Sequence, residues 1–171
     1  MKTQRIQVLG IDPGLASLGW GVVEMDGARL VYKAHGSIHT KPSQPIGERL
    51  AWLRDQLLAV INDWQPFEVA MEGLFFSRNV SSALQVAEVR GMLRMALHDR
   101  GLTVAEYLPN AVKQAAAGSA RAGKGDVQNF VKIVLGLAEI PKPDHAADAL
   151  AVAICHAFHH SGPIAALSAR R

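Results

Sequence analysis

Three acidic residues, far apart in the chain, each stand where an apolar run ends or among small residues. Asp12 closes Val8-Leu9-Gly10-Ile11 and is followed by Pro13-Gly14. Glu72 closes Phe67-Glu68-Val69-Ala70-Met71, and Asp148 lies within Pro143-Asp144-His145-Ala146-Ala147-Asp148-Ala149-Leu150. Carboxylates are the hard oxygen donors that divalent cations select, and such cations neutralise a phosphate and activate water. Three of them brought together predict metal-dependent phosphodiester chemistry. His145 precedes Asp148 by three positions, so on a helix both share one face and could point at one metal pair. Oxygen-rich ligation with one imidazole suits Mg²⁺ or Mn²⁺.

Each residue also has a plainer reading. Asp12-Pro13-Gly14 is an ordinary turn sequence. Asp148 and His145 fit the first turn of a helix, where Asp144 could cap and the positive dipole end favours a carboxylate. Glu72 is the sharpest of the set, because an acid followed by Gly73-Leu74-Phe75-Phe76 has no obvious solvation role. The trailing His156, His159 and His160 lack a second spaced ligand group and do not make a zinc site.

The elements that must position these residues follow from the apolar patterning. Residues 5–11, 18–24 and 29–37 read as strands, and Pro13-Gly14 and Asp26-Gly27 suit consecutive antiparallel hairpins. Ile46, Leu50, Leu53, Leu57 and Ile61 recur at helical spacing after a proline-containing loop, and Pro66 ends that helix. A strand at 67–72, a helix at 79–99 built on Leu84, Ala87, Leu93 and Leu97, and a strand at 102–107 complete a βββαβαβ order. That order predicts an α/β fold, a mixed sheet with helices on both faces, since the later strand pairs need crossovers. Pro109 restarts a short helix, Gly118 to Gly125 reads as a mobile surface loop, and helices at 125–136 and 144–159 follow. Asp12 and Glu72 fall at the carboxyl ends of strands, where ligands collect in open α/β sheets, and they meet if the first and fourth strands are neighbours.

The 171 residues suit one domain over 1–160, with 161–171 as a disordered tail. Cys155 is the sole cysteine, so no intrachain disulfide forms. No apolar run reaches the roughly 20 residues that span a bilayer, and no secretory signal opens the chain, which predicts a cytoplasmic protein without membrane contact. Net charge is only +3, from 18 basic and 15 acidic residues. Its distribution is more telling. Between Gly73 and Gly125, Arg78, Arg90, Arg94, Arg100, Lys113, Arg121 and Lys124 face only Glu88, Asp99 and Glu106, a local net of +4 that suits a polyanion or a solvated helix face.

In order and spacing, Gly10-Ile11-Asp12-Pro13-Gly14, Met71-Glu72-Gly73-Leu74-Phe75-Phe76, Val112-Lys113-Gln114 and Asp148-Ala149-Leu150-Ala151 resemble the RuvC family of Holliday-junction resolvases. The resemblance spans nearly the whole chain. It implies a ribonuclease H-like fold with a five-stranded mixed sheet, and a homodimer that nicks two strands of a four-way DNA junction symmetrically, leaving 5′-phosphate ends. Carried onto this chain, it places Asp12, Glu72 and Asp148 in a catalytic metal site holding two Mg²⁺ per subunit, with Mn²⁺ able to substitute. His145 is a departure, since many relatives have an aspartate there. Neutral imidazole shifts preference toward Mn²⁺. The mechanism implied is two-metal hydrolysis with ions about 4 Å apart, Asp12 bridging, and no covalent intermediate.

The same resemblance sets Lys113 and Lys124 at the catalytic margin, and Phe75 as an aromatic that stacks on or wedges against a junction base. Phe76 is then the core member of that pair. Arg78, Asn79 and Arg121 join the DNA-binding set, with Arg78 and Asn79 near the backbone. A two-fold dimer suits two symmetric nicks, with helix 79–99 as the interface. RuvA and RuvB, a junction-binding tetramer and a branch-migration motor, are the implied partners.

Other classes share parts of the pattern. Gly10 to Gly14 also resembles the phosphate-binding hairpin of sugar kinases and actin-like ATPases, but that architecture needs two related domains. A ribosomal-RNA-processing nuclease of the same fold is usually shorter. A junction-binding protein without catalysis is the reading that His145 keeps open.

Overall fold

A computed structural model describes residues 5–27, 29–74 and 80–161. The alternating runs at the start form the expected meander: β1 (Ile6–Asp12), β2 (Ser17–Asp26) and β3 (Arg29–His39) pair antiparallel in succession. Gly27 turns β2 toward β3 at φ 63°, a region that glycine enters without side-chain cost. Then come α1 (Ile46–Trp64), β4 (Glu68–Glu72), α2 (Val80–His98), β5 (Val104–Tyr107), α3 (Pro109–Ala117), α4 (Lys124–Val134) and α5 (Asp144–Ser161). β4 pairs parallel with β1, and β5 parallel with β4, so the sheet order is β3-β2-β1-β4-β5. This is the mixed five-stranded sheet read from the sequence.

Alternation along the strands assigns a set of helices to each face. Val8, Val23 and Ala70 pack with Val112 and Ala116 of α3, Val127 and Val131 of α4, and Leu150 and Ile154 of α5. Leu9, Ile11, Val22, Val69 and Met71 pack on the other face with Leu53, Leu57 and Ile61 of α1 and Val89, Leu93 and Leu97 of α2. Burying each of the valines, leucines, isoleucines and Met71 contributes about 1.5–3 kcal/mol, which makes the central strands the best-anchored part of the fold.

Close approach of α5 to the sheet depends on glycine. A Cβ on Gly10 would lie 2.0 Å from the Ala149 carbonyl oxygen, and one on Gly19 would lie 1.9 Å from that of His145. Ala146, Ala149 and Ala153, all fully buried, give α5 a thin face to match. Backbone therefore rests on backbone, and the start of α5 is set directly over the ends of β1 and β2.

Several local expectations are corrected. Leu84 is 63% exposed and Ala87 is also exposed, because α2 turns Ala83, Val89, Leu93, Ala96 and Leu97 to the core instead. The glycine-rich segment is shorter than Gly118 to Gly125. Gly118 ends α3 at φ 66°, and α4 already starts at Lys124, where the Gly123 N–H donates to Asp126 Oδ2 at 2.9 Å. Asp144 does not serve as a cap: it is the first residue of α5, and its carboxylate accepts from Gln128 Nε2 at 3.2 Å and pairs with Lys124. Phe75, Phe76, Arg78 and Asn79, and residues 162–171, lie outside the described residues.

Candidate metal centre

β1 and β4 run side by side, with Ile11 beside Met71, so Asp12 and Glu72 emerge at the same carboxyl edge of the sheet. Asp12 pairs with Gly19 in the β1–β2 ladder, and Gly19 is where the His145 carbonyl comes down onto the sheet. The packing of α5 therefore delivers His145 and Asp148 to Asp12. Ligand atoms of Asp12, His145 and Asp148 all lie within 4.8 Å of one another, and His145 Nδ1 is 2.7 Å from Asp12 Oδ2.

Glu72 stands beside this trio without being part of it. A cavity of about 260 Å³ is lined by Glu72, Lys113, Lys124, Val127 and Asp148, and a neighbouring one of similar size by Asp12, Pro13, Glu72, Gly73 and Leu74. Glu72 and Pro109 line both, so the Glu72 carboxyl lies between the two. Burial, then the charges of Asp12 and Asp148, push its carboxyl up to about 7, while Arg90 and Lys113 pull the other way. Burial and the charge of Asp12 raise Asp148 as well. The hydrogen bond to Asp12 raises His145. Carboxyls crowded into partial burial resist ionising together, and a cation among them removes that conflict. The donor set of carboxylate oxygens and one imidazole fits a hard divalent ion.

Lys124, at the start of α4, has Nζ 3.1 Å from Asp144 Oδ2 and 3.5 Å from Asp148 Oδ2. Burial lowers its pKa, but the hydrogen bond to Asp144 and the charge of Asp148 outweigh that and raise it. Lys113 lines the same cavity from α3. The exposed Arg121 sits between α3 and α4, outside the residues lining these cavities; its backbone N–H donates to Ser119 Oγ at 3.2 Å.

The sequence reading missed Arg90 as anything but surface charge. It is 4% exposed, and its guanidinium donates to the Glu72 carbonyl and pairs with Glu106 at 2.7 Å. The signal was its place on the apolar spacing of Val86, Leu93 and Leu97. Arg94 also binds Glu106, and Arg100 binds Asn62 Oδ1 at 2.6 Å. Arg90, Arg94 and Arg100 are thus held by contacts within the fold, while Lys113 and Lys124 are the basic residues of the stretch that line the cavity beside Asp148.

A mixed five-stranded sheet of this order, flanked by helices on both faces, places the chain in the ribonuclease H-like class of folds. The family profile described as Crossover junction endodeoxyribonuclease RuvC matches residues 8–156. The chain belongs to the RuvC family. A crossover junction endodeoxyribonuclease RuvC of Chloroflexus aggregans is 50% identical over 153 residues, covering 90% of this chain and 93% of the relative. Thermus thermophilus RuvC, solved in complex with a Holliday junction substrate, superimposes with a TM-score of 0.86 at 39% identity, covering 91% of this chain and 95% of that one. A yeast mitochondrial Holliday junction resolvase shares the fold at a TM-score of 0.63 and 17% identity, over 86% of this chain and 76% of that one.

Proposed function

We propose that this chain resolves four-way DNA junctions by nicking two strands symmetrically in a reaction that requires Mg²⁺, with Mn²⁺ as a substitute. The observation that carries this reading is the Asp12, His145 and Asp148 cluster, with ligand atoms within 4.8 Å, at the sheet edge that Glu72 shares. It stands on membership of a family named for crossover-junction cleavage.

Asp12 is the central ligand, with Glu72 on one side and Asp148 on the other, and His145 completes the set. A divalent ion held there would supply positive charge to the scissile phosphate and make a water more acidic. Asp12, Glu72, His145 and Asp148 would hold the ion beside the scissile phosphate. Water attacks, the bond from phosphorus to the 3′ oxygen breaks, and a 5′-phosphate and a 3′-hydroxyl remain. Lys113 and Lys124 face the cavity from α3 and α4 and offset the charge that grows on the phosphate. Phe75, Arg78, Asn79 and Arg121 are assigned further contacts with the DNA.

Two symmetric nicks call for two copies of the site, and a homodimer through α2 provides them. Leu84 and Met95 are exposed on α2, with Gly91 between them at helical spacing, a surface suited to burial by a second copy. RuvA and RuvB are the partners that would deliver junctions, which would place the protein in the cytoplasm. Among the described residues no helix is long and apolar enough to cross a membrane.

The test presents a synthetic four-way junction and a linear duplex of matching sequence to the purified protein with Mg²⁺. Paired nicks in the junction alone are expected. Equal cleavage of both substrates contradicts a junction-selective enzyme.

A further inference from the structure

The peptide that joins Glu72 to Gly73 is gripped at both of its polar atoms. The Gly73 N–H donates to the Tyr107 carbonyl at 2.7 Å, extending the β4–β5 pairing by one bond. The Glu72 carbonyl accepts a hydrogen bond from Arg90 Nη1. Arg90 reaches it from the middle of α2 and is almost completely buried. Its Nη2 is 2.7 Å from Glu106 Oε2 on β5, and the other oxygen of Glu106 accepts from Arg94 Nε at 3.0 Å. One guanidinium thus ties together a helix, the last residue of β4 and the neighbouring strand.

Fold stability gives a poor reason for this arrangement. Arg90 lies on the apolar stripe of α2 between Val86 and Leu93, where a leucine or methionine would continue the core. A buried ion pair is weak evidence for stability, because apolar residues of similar volume often do as well or better. Its partner on β4 is more informative. Arg90 holds the main chain of the residue whose side chain must approach the Asp12, His145 and Asp148 cluster, and Glu72 is the one of these four residues that lies outside it. Where β4 ends decides how near that carboxylate comes.

We propose that Arg90 is a positioning residue of the metal centre, fixing the Glu72 main chain through the Glu72 carbonyl while Glu106 orients the guanidinium. This rests on the reading of Glu72 as a metal ligand. Partners of this kind, one step removed from the ligands, commonly change metal affinity or activity by about 10–100-fold when altered. A misplacement of about 1 Å at a reacting group has effects of a similar order.

The experiment compares the full-length wild type with Arg90→Gln, Arg90→Lys, Glu106→Gln and Glu72→Gln. Folding is followed by circular dichroism, junction affinity is measured in EDTA, and cleavage is measured across a Mg²⁺ titration. Arg90→Gln is expected to bind the junction within about twofold of wild type and to need about tenfold more Mg²⁺ for half-maximal cleavage. Arg90→Lys, which keeps charge but loses the fork that serves both Glu72 and Glu106, should fall between. Glu106→Gln leaves Arg90 in place with a weaker partner and should shift the Mg²⁺ midpoint in the same direction by about threefold. If Arg90→Gln does not fold, Glu106→Gln decides the matter by that shift. An unchanged Mg²⁺ midpoint in the folded variants, with cleavage falling only as the folded fraction falls, overturns the positioning role. Wild-type cleavage by Glu72→Gln instead overturns the assignment of Glu72 as a ligand.

Discussion

His145 Nδ1 stands 2.7 Å from Asp12 Oδ2, so the one imidazole of this cluster is hydrogen-bonded to one of its carboxylates. With Asp12 ionised, Nδ1 carries the hydrogen, and Nε2 is the nitrogen with a lone pair to offer. A carboxylate that accepts this bond is oriented by it, while the imidazole adds no negative charge for a cation.

Replacing His145 by aspartate should therefore shift the metal response. His145→Asp is expected to lower the Mg²⁺ concentration for half-maximal cleavage by about tenfold and to narrow the advantage of Mn²⁺ over Mg²⁺. Titrating cleavage with each metal checks this. A variant with unchanged midpoints for both would place His145 outside the ligand set.

Stability without metal should fall as pH rises from 5 to 8. Glu72 has its carboxyl raised from 4.5 to about 7 by burial and by Asp12 and Asp148, so folding takes up a proton between those values. That term costs up to about 3 kcal/mol by pH 8. Asp148 is raised and acts with the same sign. His145 is also raised; its contribution is fully present below its unfolded value and lost as pH passes the folded one, again the same direction. Glu106 and Asp144 are held below their ordinary values and matter only at more acidic pH. Denaturant unfolding in EDTA at pH 5 and pH 8 measures the slope. Saturating Mg²⁺ should abolish it, because the cation requires the ionised carboxylates. A metal-free protein more stable at pH 8 would contradict the crowding of these acids.

Lys124 shares Asp148 with any cation, since its Nζ is 3.5 Å from that carboxylate. Lys124→Gln is expected to bind metal as well as wild type or better and yet to cleave about 100-fold more slowly at saturating Mg²⁺. Calorimetric metal titration and single-turnover cleavage separate the two effects. Full recovery of the rate by extra Mg²⁺ would reduce Lys124 to a structural partner of Asp144.

Much of this centre was legible in the chain. Alternating apolar runs fixed the strands, and Asp12 and Glu72 stood at their ends, so the neighbouring of β1 and β4 brought them to one edge. The i, i+3 spacing of His145 and Asp148 likewise put them on one face. What stayed hidden depends on partners distant in sequence. Arg90 looks like one more surface charge until β4 and β5 are placed against α2. Lys124 was read into a glycine-rich loop because the Gly123 N–H to Asp126 bond that starts α4 is a local detail no apolar period reveals. Leu84 and Met95 carry helical spacing but face outward, since an apolar face reads alike whether the fold or a second copy covers it.

Gly19 offers a test of how α5 is set. A Cβ there would lie 1.9 Å from the His145 carbonyl oxygen, a backbone atom that no side-chain rotation can move. Gly19→Ala is expected to lower stability by about 1–3 kcal/mol and to reduce cleavage more than the folded fraction accounts for, because it lifts His145 and Asp148 from Asp12. Thermal unfolding and cleavage measured on the same preparation check both. Wild-type cleavage by a destabilised variant would show that the approach of α5 does not control the centre.

The most direct test is the cleavage of a four-way junction by wild type and Asp12→Asn side by side in Mg²⁺, with junction binding measured in parallel. Asn keeps the size of the side chain and removes the charge that a cation needs. The expected result is unchanged junction affinity and no nicks from Asp12→Asn, against paired symmetric nicks with 5′-phosphate ends from the wild type. Nicking by Asp12→Asn at the wild-type rate would contradict a metal centre built around Asp12.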